Sequence, residues 1–231
     1  MSIETQLENQ VVSAVRTVLS SDDSAHSIEH LDEVWRLAKW LMQSTPARHR
    51  IVVAAAYCHD LKSRGEVGFS KAVDSSVEHS FPLLKELGYT DEEIATVGQC
   101  IYEGSWEYYV KGRRPSMAEA VILRDADWLE AMGAHGVARV FAFAGRYCLP
   151  IAYLDLDPDQ PVRLPTPEKG PNPPFDHFYS KLLWLRDNLI TTEARKEGER
   201  RHAFLVHFLK EYGLEVIRTT DPTGPNKNGK S

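Results

Sequence analysis

Apolar residues recur at three- and four-residue intervals along most of this chain, and no convincing alternating run typical of a strand accompanies them. The segment 47–62 is apolar enough to be a buried strand, but its alanine content, its length and Pro46 favour a helix. Capping boxes are predicted at Thr90 with Glu93 and at Ser116 with Glu119. The predicted helices are 3–19, 28–43, 47–62, 70–87, 91–103, 116–132, 134–146, 175–190 and 193–213. The expected fold class is therefore all-α.

The helical pattern is interrupted once, by seven prolines within 155–174. Proline at this density forbids both helix and central strand, so the segment is predicted to be a long loop. The helices predicted over 175–213 are expected to pack back on a core spanning about 20–150, which makes 1–218 a single domain. The tail 219–231, rich in Gly, Pro, Asn and Lys, is predicted to be disordered. Whether the loop covers a site is left open.

Charge and composition exclude several partners. The chain has 231 residues, with 27 basic against 33 acidic side chains and a formal net charge of −6. This balance argues against a nucleic-acid polymer or an anionic membrane as the partner. No run of eighteen apolar residues, no secretory signal and no CxxC pair is visible, so a cytoplasmic location is expected. Nothing fixes the oligomeric state, and a homodimer stays open.

The most informative polar residues are His59 and Asp60, at the end of the most apolar predicted helix. An imidazole and a carboxylate beside a core cost free energy unless something pairs with them, and a divalent cation would do so. His26 and His30 share a helix face one helix upstream. Side chains from several helices of a bundle commonly converge on a metal.

A further pair of acids, Asp125 and Asp127, lies downstream, and either could complete such a site. Each of these groups also has an ordinary structural interpretation. A His-Asp dipeptide is frequent by chance, the two upstream histidines could be cap or surface residues, and the acids could be helix N-terminal charges. Spacing alone does not decide between these interpretations.

Three longer motifs resemble a known family. AHSIEHLDEVW at 25–35 is similar to AHDxxHxxRVW, DADWLEAMGAHGVARVF at 125–141 to DADRLEAxGAxGxARVF, and DHFYSKLLWL at 176–185 to DHFxxKLLxL. These are motifs of the HD-domain phosphohydrolase superfamily, and within it of the small bacterial HD hydrolases of the YedJ and YpgQ type. The resemblance covers about residues 20–215. It implies an HD-domain helical bundle that hydrolyses a phosphate ester or anhydride, with nucleotides as the best attested substrate class.

The resemblance also implies roles for single residues. One divalent metal (Mn, Mg, Fe, Co, Ni or Zn) would be bound by His30, His59, Asp60 and Asp127, which favours Asp127 over Asp125 as the last ligand. Asp60, or Asp125 from behind the ligands, would orient the attacking water. The residues expected to contact the small phosphorylated substrate are Arg139, His177, Lys181 and His26.

The sequence departs from the family pattern at four positions. Ser27 replaces Asp, Glu33 and Trp128 replace Arg, and Gly104 replaces a histidine. The loss of positive charge makes a specificity for nucleoside triphosphates doubtful and leaves a second function open, a non-catalytic sensor of a metal or phosphate ligand on the same fold. A di-iron oxygenase would need two further histidines between Asp60 and Asp127, and the sequence offers only His79 there.

Overall fold

The computed structural model of the chain describes residues 3–19, 27–61, 71–151, 157, 159 and 172–220. Helices dominate these residues, and no strand occurs among them, which confirms the all-α prediction. The helices in chain order are α1 (Ile3–Val18), α2 (Ile28–Leu41), α3 (His49–Cys58), α4 (Ala72–Glu86), α5 (Asp91–Gly104), α6 (Trp106–Val110), α7 (Ala118–Glu130), α8 (Gly133–Arg146), α9 (174–188) and α10 (Thr192–Thr220). Within the described ranges, no helix has the length and apolarity needed to cross a membrane.

Helix α3 is the centre of the bundle. All eight residues from Ile51 to Cys58 are buried, and most of them are small alanine and valine side chains. Small side chains let α1, α2, α5 and α7 pack closely around α3. The chain leaves this helix at His59 and Asp60, so the packing of an apolar helix carries two polar side chains into the middle of the molecule.

The two predicted capping boxes have different outcomes. At the start of α5, the Thr90 hydroxyl accepts from the backbone N–H of Glu93, and the Glu93 carboxylate accepts from the backbone N–H of Thr90, as predicted. The Ser116 box is wrong. Ser116 donates to Glu103 instead, and Glu119 pairs with Arg48 at 2.7 Å, so tertiary partners replace the local cap.

Helix α9 is not the regular helix that periodicity predicts over 175–190. An α-helical turn at Pro174–His177 is followed by a π-helical turn at Phe178–Leu182, a second α-turn at Leu183–Leu185 and a 3₁₀ turn at Arg186–Asn188. The apolar positions are buried nonetheless, which is why the pattern looked regular. Irregular turns of this kind occur frequently at functional sites.

Several predictions fall partly or wholly outside the described residues. These are His26, most of the proline-rich segment 155–174, and 221–231 of the predicted tail. Helix α10 runs to Thr220, seven residues beyond its predicted end at Gly213, and therefore includes the first two residues of that tail. Short helix α6 was not predicted, since five residues give too little periodicity to recognise.

A tight turn joins α7 to α8 and fixes how closely they pack. Gly133 has φ +73°, a conformation that strains residues with a side chain. A Cβ atom built on Gly136 would lie 2.1 Å from the backbone oxygen of Ala131, so no side chain fits there. Gly133 and Gly136 therefore allow α8 to begin directly after α7 and to pack beside the end of that helix.

Asp125, the residue predicted to orient a water from behind the ligands, makes its contacts with the start of α10. It is fully buried, and its carboxylate accepts hydrogen bonds from the backbone N–H groups of Ile190 and Thr191 and from the Thr191 hydroxyl. Thr191 in turn accepts from the N–H of Ala194 in the first turn of α10. Since these donors engage its carboxylate, Asp125 ties α7 to the start of α10.

We therefore expect Asp125→Ala to lower the free energy of unfolding by about 3 kcal/mol, because it leaves buried N–H and O–H donors without an acceptor. Chemical denaturation followed by circular dichroism measures this loss. The matched control is Asp187→Ala, which removes a largely exposed carboxylate paired with Arg186 and should change stability by less than about 0.5 kcal/mol. Equal effects of the two variants would contradict the assignment.

Candidate metal centre

Two histidines and two aspartates meet where α2, the end of α3 and α7 pack together. The Nε2 atoms of His30 and His59 are 3.2 Å apart. Asp127 Oδ1 lies 3.8 Å from the first and 3.7 Å from the second of these nitrogens. Asp60 Oδ2 lies 3.5 Å and 3.8 Å from the same two atoms. The structure thus brings together the four side chains that the family resemblance assigned to the metal.

The donor atoms fit a divalent cation. Ligand atoms bound at about 2.1 Å to one ion lie roughly 3.0–3.4 Å apart when they are adjacent, for octahedral or tetrahedral geometry. The observed separations of 3.2–3.8 Å are close to that spacing. Among the described residues, His30, His59 and Asp127 are the group whose ligand atoms all lie within 4.8 Å of one another. Imidazole nitrogen and carboxylate oxygen suit Zn, Fe, Mn, Co and Ni.

The electrostatics of this cluster favour positive charge. Burial by itself would lower the pKa of His59, but the carboxylates of Asp60 and Asp127 outweigh burial and raise that pKa to about 9. Burial would likewise raise the pKa of Asp127, whereas the hydrogen bond and charge of His59 lower it to about 2. Both pKa shifts have the same cause, a negative potential from the carboxylates, and this potential would also attract a metal cation into the partly buried site.

The outer nitrogen of each histidine has a partner of its own. His59 Nδ1 lies 2.8 Å from the backbone oxygen of Ala56, and His30 Nδ1 lies 3.2 Å from Oε1 of Glu130. Such partners fix the ring orientation and direct each Nε2 atom toward the other candidate ligands. Glu130 was missed at the sequence level, although its position three residues after Asp127 on one helix was a usable signal.

A pocket opens directly onto these ligands. His59, Asp60 and Asp127 line it together with three predicted substrate residues, Arg139, His177 and Lys181. Its apolar and aromatic wall consists of Val73, Ile101, Trp106, Trp128, Val140, Phe143, Leu182 and Leu185. Sequence reasoning missed Ser105, Glu107 and Asn172, which also line the pocket.

The predicted substrate cations have different surroundings. Lys181 Nζ lies 5.6 Å from the centre of the Trp106 ring, one helical turn after His177 on α9. Arg139 is less available than expected, because its Nη1 donates to the fully buried carboxylate of Glu130.

The structure explains part of the sequence departures. Trp128, which replaces an arginine, is buried and stacks beneath the guanidinium of Arg124, whose centre lies 4.0 Å from the ring. A Cβ atom on Gly104 would lie 3.2 Å from the end of the Leu123 side chain, so a histidine at this position would require that side chain to shift by a few tenths of an ångström. Glu33 pairs with Arg36 along α2 and does not line the pocket.

The additional histidine considered for a di-iron site is not part of the cluster. His79 Nδ1 lies 2.8 Å from the backbone oxygen of Ser75 within α4, and His79 does not line the pocket. Within the described part of the chain, the candidate ligand group contains His30 and His59 and does not contain His79.

Comparison with known proteins yields clear relatives. No protein-family model matches the chain. YpgQ of Bacillus subtilis is 30% identical over 214 residues, which cover 92% of this chain and 95% of YpgQ. A solved structure from Lactobacillus plantarum has a TM-score of 0.79 at 25% identity and covers 94% of this chain and 100% of that one. An HD-superfamily hydrolase of Bacillus thuringiensis has a TM-score of 0.65 at 27% identity, over 93% of this chain and 98% of that one.

Fold and relatives together define the class, a helical HD-domain protein with the fold of HD-superfamily hydrolases. The chain belongs to the family of small bacterial HD-domain proteins that includes YpgQ. A structure of YpgQ in complex with ADP has a TM-score of 0.59 at 27% identity, covering 96% of this chain and 97% of YpgQ.

If the cluster binds one divalent ion, Mn²⁺ at a hundredfold excess over its Kd should stabilise the fold by about 2.7 kcal/mol. We expect elemental analysis to find close to one metal per chain, and thermal unfolding to shift upward on addition of Mn²⁺. Both effects should be lost in His59→Ala and retained in the control His79→Ala, which alters a histidine outside the pocket. An undiminished shift in His59→Ala would contradict the site, and two metals per chain would contradict the mononuclear assignment.

Proposed function

We propose that this protein is a metal-dependent phosphohydrolase that cleaves a phosphate ester or anhydride of a nucleotide or a similar small phosphorylated metabolite. One observation carries the proposal. Three of the four side chains that fit a divalent cation, His59, Asp60 and Asp127, line the same pocket as Lys181 and His177, two groups suited to contact a phosphate. A cation site beside such groups is the arrangement that phosphoryl transfer requires, because positioning and charge stabilisation provide most of its catalysis.

The metal would be held by His30, His59, Asp60 and Asp127. A divalent ion bound there would lower the pKa of a bound water and polarise a phosphoryl oxygen. Among the protein's own groups, Lys181 neutralises phosphate charge and His177 donates a hydrogen bond from the adjacent turn of α9. Asp60 is the remaining candidate for orienting the attacking water, since Asp125 is engaged elsewhere.

The shape and chemistry of the pocket support a nucleotide as the substrate class. The metal ligands and Lys181 form a polar side, while the buried indoles of Trp106 and Trp128 contribute to an apolar side. A nucleotide has the same two parts, a charged phosphate group and a planar base. The ADP complex of YpgQ supports the same substrate class.

A second function, a metal-containing sensor of a phosphate ligand, is favoured by one observation. Arg139 is paired with the buried Glu130, so the pocket offers a substrate less positive charge than the sequence suggested. Such a protein would bind metal and nucleotide without turning the nucleotide over.

A screen of nucleoside mono-, di- and triphosphates and sugar phosphates with Mn²⁺, Mg²⁺, Co²⁺ or Ni²⁺ distinguishes the two functions. Release of phosphate or pyrophosphate that disappears in His59→Ala supports the hydrolase. Saturable binding with a metal and a nucleotide, and no product with any substrate, supports the sensor and contradicts the hydrolase.

For the substrate that this screen identifies, Lys181→Met should lower kcat/KM by roughly 10- to 100-fold, because a charge-assisted contact to phosphate is worth about 1.5–3 kcal/mol. Lys85→Met is the matched control. Lys85 is an exposed lysine paired with Asp91 outside the pocket, and its loss should leave kcat/KM within about twofold. Full activity of Lys181→Met would remove Lys181 from the substrate site.

A further inference from the structure

Glu130 is a carboxylate that the proposed function does not use, yet its side chain contacts His30, one of the proposed metal ligands. It is the last residue of α7 and its side chain is 0% exposed. We propose that Glu130 is a positioning residue of the metal centre, which orients His30 and fixes its tautomer, and that Arg139 holds this carboxylate in place from the opposite side. The inference rests on the proposed metal site and assigns a role to two residues behind it.

The contacts of Glu130 are specific. Oε1 lies 3.2 Å from Nδ1 of His30 and 3.3 Å from Nδ1 of His135, while Oε2 accepts a hydrogen bond from Nη1 of Arg139. A buried carboxylate without such partners would destabilise the fold.

The consequence for His30 follows from the chemistry of imidazole. A neutral ring that offers Nε2 to a metal must carry its proton on Nδ1, the nitrogen that faces Glu130. A carboxylate at that nitrogen stabilises this tautomer and makes the ring a stronger ligand. His59 has only the neutral backbone oxygen of Ala56 in the corresponding position. His30 is therefore the histidine whose ligand strength depends on an acidic side chain.

The net charge of the side chains at the site supports the same role for Glu130. With both imidazoles neutral, Asp60, Asp127 and Glu130 contribute three negative charges, and Arg139 contributes one positive charge. The difference is two negative charges, which one divalent cation neutralises. Without Glu130 the balance would be one negative charge, so the electrostatic attraction for a divalent cation would be weaker.

The glycine-dependent turn between α7 and α8 makes this arrangement available. Gly133 and Gly136 allow α8 to return beside the end of α7, which places Arg139 against Glu130 nine residues later in the chain. An ion pair that only joins the two helices is the competing interpretation. It predicts a loss of stability on mutation and no change in metal affinity, so affinity is the quantity to measure.

The test uses the full-length protein and measures the Kd for Mn²⁺ by calorimetry, with stability of the metal-free form measured separately in chelator. Glu130→Gln keeps the shape and an acceptor but removes the charge, and we expect Kd to rise by 10- to 100-fold. Glu130→Leu removes the acceptor as well and should raise Kd further. If the Leu variant fails to fold, the near-isosteric Gln variant carries the test.

The matched control is Glu119→Gln, the same change at another buried carboxylate of α7 that pairs with an arginine, Arg48, outside the pocket. It should lower stability comparably and leave Kd within about twofold. If wild-type protein binds Mn²⁺ and folded Glu130→Gln binds it equally well, the positioning role is wrong while the metal site stands. If wild-type protein binds no metal, the proposed function fails together with this inference.

Discussion

The packing of α2, α3 and α7 brings acidic and imidazole side chains from distant parts of the chain to one point inside an apolar bundle. Negative charge is expensive there unless a cation balances it. The surrounding structure reflects that cost. Ala56 and Glu130 hold the outer nitrogens of the two histidines, and Arg139 balances Glu130. The candidate ligands are thus surrounded by groups that contact them, and these groups have polar partners of their own.

Helix α7 carries both an acid that anchors the fold and an acid proposed to bind the metal. Asp125 and Asp127 are two residues apart on α7 and therefore point about 200° apart around the helix. Asp127 faces the metal cluster, whereas Asp125 faces the beginning of α10 and anchors it. One short motif therefore supplies both a proposed metal ligand and the attachment of the C-terminal helix. Damage to either would reduce activity, and only stability measurements distinguish the two causes.

Much of the fold could be predicted from periodicity. The four ligands could be predicted because their order in the sequence matches a family pattern, and the structure brings their side chains together. Contacts between residues far apart in sequence were harder to predict. The contacts of Asp125 with the start of α10 could not be predicted, because the two partners are 65 residues apart in the sequence. The local pattern at Ser116 predicted a helix cap, but it carries no information about Glu103, the residue that Ser116 contacts in the structure. Glu130 follows Asp127 by three residues on the same helix, but its burial leaves no periodic signal, and it was not predicted. The π-helical turn in α9 was hidden because its apolar residues keep a helical spacing.

The most direct test of the metal centre is anomalous diffraction from crystals grown with Mn²⁺, with data collected on both sides of the manganese absorption edge. The account predicts one strong anomalous peak per chain, within about 2.3 Å of Nε2 of His30, Nε2 of His59 and a carboxylate oxygen of Asp127. A map with no peak among these three side chains, at full Mn²⁺ saturation, would contradict the central claim.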